Sequence, residues 1–154
     1  MSLITLVSPH VSSLNNCWTA VCNPPKSASL VDYKIWSFNG KPAYIACYVN
    51  RHDKFFSEKG LFDTEWHPHP EFQKLTRHKK VQTSISQPPC LAEMLQVAAK
   101  LSEGHPQVRV DLYAVDGHVY FGEMTFTASG CYMDSLTQPF LDKLGELTVL
   151  PIDI

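Results

Sequence analysis

Val108-Arg109-Val110-Asp111-Leu112-Tyr113-Ala114-Val115-Asp116-Gly117-His118-Val119-Tyr120-Phe121-Gly122-Glu123-Met124-Thr125-Phe126 decides the fold. Apolar and polar residues alternate on both sides of an Asp-Gly pair, the pattern of two antiparallel strands joined by a tight turn. Arg109, Asp111 and Glu123 interrupt these otherwise apolar and aromatic strands. Charges in a strand are costly unless they face water, pair, or hold an ion.

The register decides whether these charges meet. A two-residue loop at Asp116-Gly117 sets Asp111 opposite Gly122 and leaves Glu123 on the other face. A three-residue loop from Val115 to Gly117, with a glycine bulge, sets Ala114 opposite His118, Asp111 opposite Phe121 and Arg109 opposite Glu123. One face then carries Arg109, Asp111, Tyr113, Val119, Phe121, Glu123 and Thr125. The other carries Val108, Val110, Leu112, Ala114, Tyr120, Gly122, Met124 and Phe126. Burial favours the three-residue loop because it gives one nearly pure apolar face, and a one-residue slip turns every side chain over.

Two carboxylates beside an arginine suit a hard cation with phosphate attached. Mg²⁺ takes one or two carboxylates, waters and polyphosphate oxygens, and an arginine fork clamps phosphate. The same pattern also reads as an Arg109–Glu123 ion pair on a solvated face, with Asp111 exposed.

Outward from this hairpin, Pro88-Pro89 introduces an amphipathic helix of about four turns from Cys90 to Glu103. Leu91, Met94, Leu95, Ala98 and Leu101 form its apolar face, and Gly104 stops it. Upstream, Val31–Phe38, Asn39-Gly40 and Lys41–Val49 read as a first hairpin, with Pro42 marking an edge near its turn. Lys34, Trp36 and Phe38 share one face of it; Tyr33, Ile35 and Ser37 share the other. Residues 50–87 read as a long polar and aromatic loop, and Gln138–Leu147 as a terminal helix. Residues 1–30 read as a poorly ordered lead-in. The prolines of His67-Pro68-His69-Pro70 predict an extended loop whose imidazoles point apart. The fold class is therefore α+β, an antiparallel sheet packed with helices.

A chain of 154 residues is long enough for one domain with a substantial core. A formal charge of −2 gives no electrostatic case for nucleic acid or an anionic membrane surface. No apolar run reaches the length of a membrane span. Met1–Val7 lacks a basic segment and a cleavage site, so a cytoplasmic protein is expected. Cys17, Cys22, Cys47, Cys90 and Cys131 form no paired framework, in keeping with reduced, buried thiols.

Three blocks in this order resemble the C-terminal half of an ATP-grasp domain, more narrowly the TupA-like ATP-grasp family of cell-surface polysaccharide and teichuronopeptide synthesis. They are Asp32-Tyr33-Lys34-Ile35-Trp36-Ser37-Phe38-Asn39-Gly40-Lys41-Pro42; Leu91-Ala92-Glu93-Met94-Leu95 with Ala98, Leu101 and Ser102; and Val108–Tyr113 with Phe121–Phe126. The resemblance implies a nucleotide held between two β-lobes, with residues 31–154 forming the C-terminal one. It implies that Asp111 and Glu123 hold Mg²⁺, and that Arg109 steadies the transferred phosphoryl group as the catalytic residue. Lys34, Arg51 and Arg109 would contact ATP. Thr125 stands where many members have a metal-binding Asn. The implied reaction is activation of a carboxylate as an acyl phosphate, attacked by an amine, with a sugar or amino-acid substrate.

The family's upstream lobe carries a glycine-rich phosphate loop and a nucleotide-binding lysine. Residues 1–30 hold no glycine, and their only lysine is Lys26. The resemblance therefore implies a truncated domain, an ATP-dependent ligase if a partner completes it. The alternatives are a non-catalytic remnant or partner subunit keeping the fold, and an unrelated α+β binding module. Trp36 and Phe38, or Tyr113 and Phe121, are expected to form an exposed apolar surface that drives self-association or docking of the missing lobe.

Overall fold

The computed structural model describes residues 31–49, 58–74, 80–81, 83–131 and 133–150. Among them, six strands form one sheet in the order β4-β3-β2-β1-β5-β6. These are β1 (Asp32–Phe38), β2 (Lys41–Val49), β3 (Glu58–Asp63), β4 (Lys80–Val81), β5 (Val108–Val115) and β6 (His118–Thr125). Every neighbouring pair is antiparallel except β3–β4, which is parallel. Helices α1 (Leu91–Ser102) and α2 (Gln138–Glu146) complete an α+β architecture consistent with an ATP-grasp lobe.

Strand β1 is buried at all seven positions because it lies inside the sheet and both its faces are covered. Tyr33 and Ile35 join Ile45, Cys47, Phe62, Val110 and Leu112 beneath Leu91, Met94, Val97 and Ala98 of α1. Trp36 and Phe38 join Tyr44, Ala46 and Leu61 beneath Leu136, Phe140 and Leu144, the last two from α2. Trp36 and Phe38 are thus not the exposed surface expected of them; each is only 4% exposed. The short amphipathic α2 supplies their cover.

Both hairpins close with two residues at positive φ, Asn39 and Gly40 in the first, Asp116 and Gly117 in the second. Such turns match the twist of the flanking strands. Pro42 lies beyond the β2–β3 pairing, which begins at Tyr44, so no ladder bond is lost on that side.

The β5–β6 loop is therefore two residues long, with Val115 opposite His118, and not three. Pairing then runs regularly through Ala114–Val119 and Tyr113–Tyr120 to Leu112–Phe121, after which the register shifts and Asp111 pairs with Glu123. The extra residue is Gly122. Val119 and Phe121 consequently face the α1 core, while Tyr120 moves to the charged side. A Cβ on Gly122 would lie 2.9 Å from Tyr113 Cε2 and 3.0 Å from the Asp111 carbonyl oxygen. Gly122→Ala is expected to cost about 1–3 kcal/mol, the usual price of overpacking, read from the midpoint of urea unfolding.

Strand β3 lies within the segment expected to be loop. Its Leu61 and Phe62 pack on opposite faces of the sheet. Beyond it, Phe62 pairs with Pro68 in an isolated bridge, and the Trp66 indole stacks on Phe62 with centroids 4.5 Å apart. The two imidazoles that follow converge. His67 Nδ1 lies 3.0 Å and His69 Nε2 3.5 Å from Asp63 Oδ2. Asp63 Oδ1 accepts the backbone N–H groups of Glu65 at 2.9 Å and His67 at 2.8 Å.

Partial burial pushes the Asp63 carboxyl up, but these bonds and the His67 ring outweigh it and hold the group below its ordinary value. A carboxyl depressed in the folded state stabilises above its unfolded pKa of about 3.9 and loses that contribution as pH falls through the folded value. Asp63→Ala is therefore expected to flatten the acid limb of a stability–pH profile below about pH 4.

Candidate functional site

The face of the sheet covered by α2 becomes polar away from that helix, at the end of β1 carrying Asp32 and Lys34. Register explains the clustering. Lys34 is opposite Asp111 on β5 and Ala46 on β2; Asp32 is opposite Tyr113 and Tyr48; Tyr48 is opposite Lys59. Arg109 is opposite Thr125, and Asp111 opposite Glu123, so all four share this face. Five of the expected site residues, Lys34, Arg109, Asp111, Glu123 and Thr125, are thus brought together. Arg51 lies outside the described residues.

Asp111 is the hub. Its side chain is 2% exposed, which excludes the reading in which it merely faces water. Arg109 grips it with two parallel bonds, Nε to Oδ1 at 2.7 Å and Nη2 to Oδ2 at 2.8 Å. The buried Lys34 ammonium also donates to Asp111 Oδ2 and pairs with Asp32 Oδ2 at 3.0 Å. Arg109 Nη2 reaches Thr125 Oγ1 at 3.0 Å and Glu123 Oε1 at 3.3 Å. Thr125 Oγ1 donates in turn to the same Glu123 oxygen at 3.3 Å. Charge-assisted, bidentate contacts of this kind are the strong ones. Burial pulls the Arg109 guanidinium down, but the hydrogen bonds and charge of Asp111, with Glu123, hold it above its ordinary value. Glu123, by contrast, has a side chain 64% exposed at the rim.

Asp32, Tyr48, Lys59 and Ser135 of the cluster were not among the expected set. Asp32 stands two before Lys34, on the same strand face, a spacing visible in the sequence. Lys59 belongs to β3 and is 4% exposed. Its ammonium donates to Ser135 Oγ at 2.8 Å and sits 5.7 Å from the Tyr48 ring centroid, while Lys34 Nζ sits 5.9 Å from the same ring. Cations over an aromatic face are favoured electrostatically. Two buried lysines, Lys34 and Lys59, and the half-buried Arg109 therefore surround two buried carboxylates, Asp32 and Asp111.

That balance bears on the metal that the ATP-grasp resemblance implies. Both Asp111 oxygens are taken by Arg109 and Lys34, and Thr125 Oγ1 is engaged by Arg109 and Glu123. Among the described residues, no group of three or more His, Cys, Asp or Glu side chains is placed to hold a metal ion. Asp111, Glu123 and Thr125 as they stand do not fit a divalent cation as a three-ligand set; only Glu123 keeps an unengaged oxygen, Oε2.

A cleft of about 500 Å³ opens on the other, α1-side face, lined by Tyr33, Val49, Glu58, Ile85, Pro88 and Asp116 among others. Among the described residues, its charged lining is the two acids Glu58 and Asp116, which disfavours a polyphosphate there. The buried Cys47 thiol, pushed up by its surroundings, and Cys90 belong to this side's core. No helix among the described residues is long and apolar enough to cross a membrane.

No curated protein and no solved structure matches the chain. The model of the family described as TupA-like ATPgrasp matches residues 22–149. That span includes both hairpins, α1, α2 and every residue of the polar cluster, and the chain belongs to the TupA-like ATP-grasp family.

Proposed function

We propose that the polar face formed by β1, β2, β3, β5 and β6 is the floor of an ATP site serving ATP-dependent ligation of a carboxylate to an amine. Family membership supports the nucleotide, and one observation about this chain carries the placement. Asp111 fixes the Arg109 guanidinium through Nε and Nη2, while Nη1 has no acceptor among the described residues. A planar donor group held in this way is prepared for a phosphoryl oxygen. Lys34 and Lys59 add positive charge behind it. In this reading Arg109 touches the transferred phosphoryl group, and Lys34 and Asp111 hold Arg109 in position. Arg51 is proposed as a further phosphate contact. A sugar or amino-acid substrate of cell-surface polysaccharide synthesis is the proposed acceptor class, and a second lobe, from a partner or another part of the chain, is the proposed cover for the base.

A second reading, a fold that has lost nucleotide, is favoured by the saturation of Asp111. Thermal melts separate the two. If ATP binds, a concentration one hundred times Kd is expected to stabilise the protein by about 2.7 kcal/mol, raising Tm, and Arg109→Met is expected to abolish the rise. An unchanged Tm for the wild-type chain at millimolar ATP would leave the remnant.

A further inference from the structure

The family's nucleotide chemistry ordinarily brings a divalent cation, yet the carboxylate best placed to receive it is engaged on both oxygens by side chains of this chain. We infer that Arg109 and Lys34 occupy on Asp111 the place of that cation, so that the site binds polyphosphate oxygens directly and without a metal. The inference rests on the ATP-site reading above and makes it more specific.

Three observations carry it. The first is occupancy: Arg109 Nε and Nη2 at 2.7 and 2.8 Å, together with Lys34 Nζ, engage both oxygens of the buried Asp111 and fill three of its about four lone-pair positions. Mg²⁺ needs near-octahedral oxygen ligands at about 2.0–2.1 Å, and to use Asp111 it would have to enter beside a bidentate guanidinium and an ammonium on the same carboxylate. The second is charge. Lys34, Lys59 and the half-buried Arg109 stand around the buried carboxylates Asp32 and Asp111, so cations of this chain already offset the negative charge that would otherwise draw in a metal. The third is the donor pair on Arg109 Nη1, which has no acceptor among the described residues. Glu123, the carboxylate with an unengaged oxygen, lies at the exposed rim, where it repels an arriving phosphate.

Calorimetric titration of sodium tripolyphosphate and of ATP into the full chain, once with EDTA and once with Mg²⁺, tests this. Affinity in EDTA is expected to fall within about fivefold of that in Mg²⁺. Glu123→Gln, an exposed substitution compatible with the fold, is expected to tighten tripolyphosphate binding in EDTA by about threefold, since a like charge is removed. Asp111→Asn, if folded, is expected to tighten it as well, because it frees donors of Arg109 and Lys34. Binding in EDTA weaker than the fivefold limit, or a Glu123→Gln variant that loses affinity, overturns the inference and leaves ATP binding standing. Absence of heat in both buffers overturns the inference and the ATP-site reading together.

Discussion

Replacing Asp111 with alanine is expected to lower the unfolding free energy by about 3–5 kcal/mol, the usual cost of breaking a buried ion pair from one side, measured by urea denaturation at neutral pH. The magnitude follows from what remains. Arg109 loses both parallel bonds and keeps only Thr125 and the exposed Glu123. Lys34, with a side chain 9% exposed, keeps Asp32 as a carboxylate partner. The variant thus buries more positive charge than its carboxylates neutralise. If this were a solvated surface pair, the loss would be about 0–1 kcal/mol, so the measurement separates the two accounts by a wide margin. Removing Arg109 and Asp111 together is expected to cost less than the sum of the single changes, because residues in one network are not additive.

Phe140→Ala is expected to cost a similar amount, about 3–5 kcal/mol. Phe140 is fully buried. Its ring stacks on Phe72 with centroids 4.8 Å apart and meets Tyr44 edge-on at 4.9 Å and Trp36 at 6.0 Å. Through these rings α2 covers one face of β1 and β2, next to the charged cluster. The truncation would open a cavity across two elements, with little room to collapse because Trp36 and Tyr44 are fixed on the sheet. The same scan of urea unfolding, followed by near-ultraviolet circular dichroism of the aromatic rings, checks it. A loss under about 1 kcal/mol would mean that α2 is not the cover of this face.

Much of this was legible in the residues because it depended on alternation. Val108, Val110, Leu112 and Ala114 were assigned to one face of β5 and Arg109, Asp111 and Tyr113 to the other, as the ladder shows. Alternation fails where the backbone stops being regular. Bringing Glu123 to the face of Asp111 needs one extra residue in the hairpin; burial alone puts it in the loop, with Arg109 opposite Glu123, whereas it lies at Gly122 and sets Asp111 opposite Glu123. An isolated glycine inside a strand pattern is itself a bulge signal, and the clash awaiting a Cβ there is the physical reason.

Strand β3 was hidden for a different reason. Glu58-Lys59-Gly60-Leu61-Phe62-Asp63 is buried on both faces, so no alternation marks it, and its buried Lys59 reads as a solvent-facing charge. The burial of Asp111 was equally out of reach, because its partner Lys34 lies 77 residues away and meets it only through the β1–β5 register. The roles of Trp36 and Phe38 turned on which face α2 covers, which the sequence of a nine-residue helix with two buried side chains does not state.

The most direct test of the central claim is a crystal structure of the protein with a non-hydrolysable ATP analogue. The account predicts a phosphate oxygen about 2.7–2.9 Å from Arg109 Nη1, with the triphosphate lying on the face that carries Lys34, Asp111 and Glu123. Nucleotide density in the cleft lined by Tyr33, Glu58 and Ile85, on the opposite side of the sheet, would contradict it.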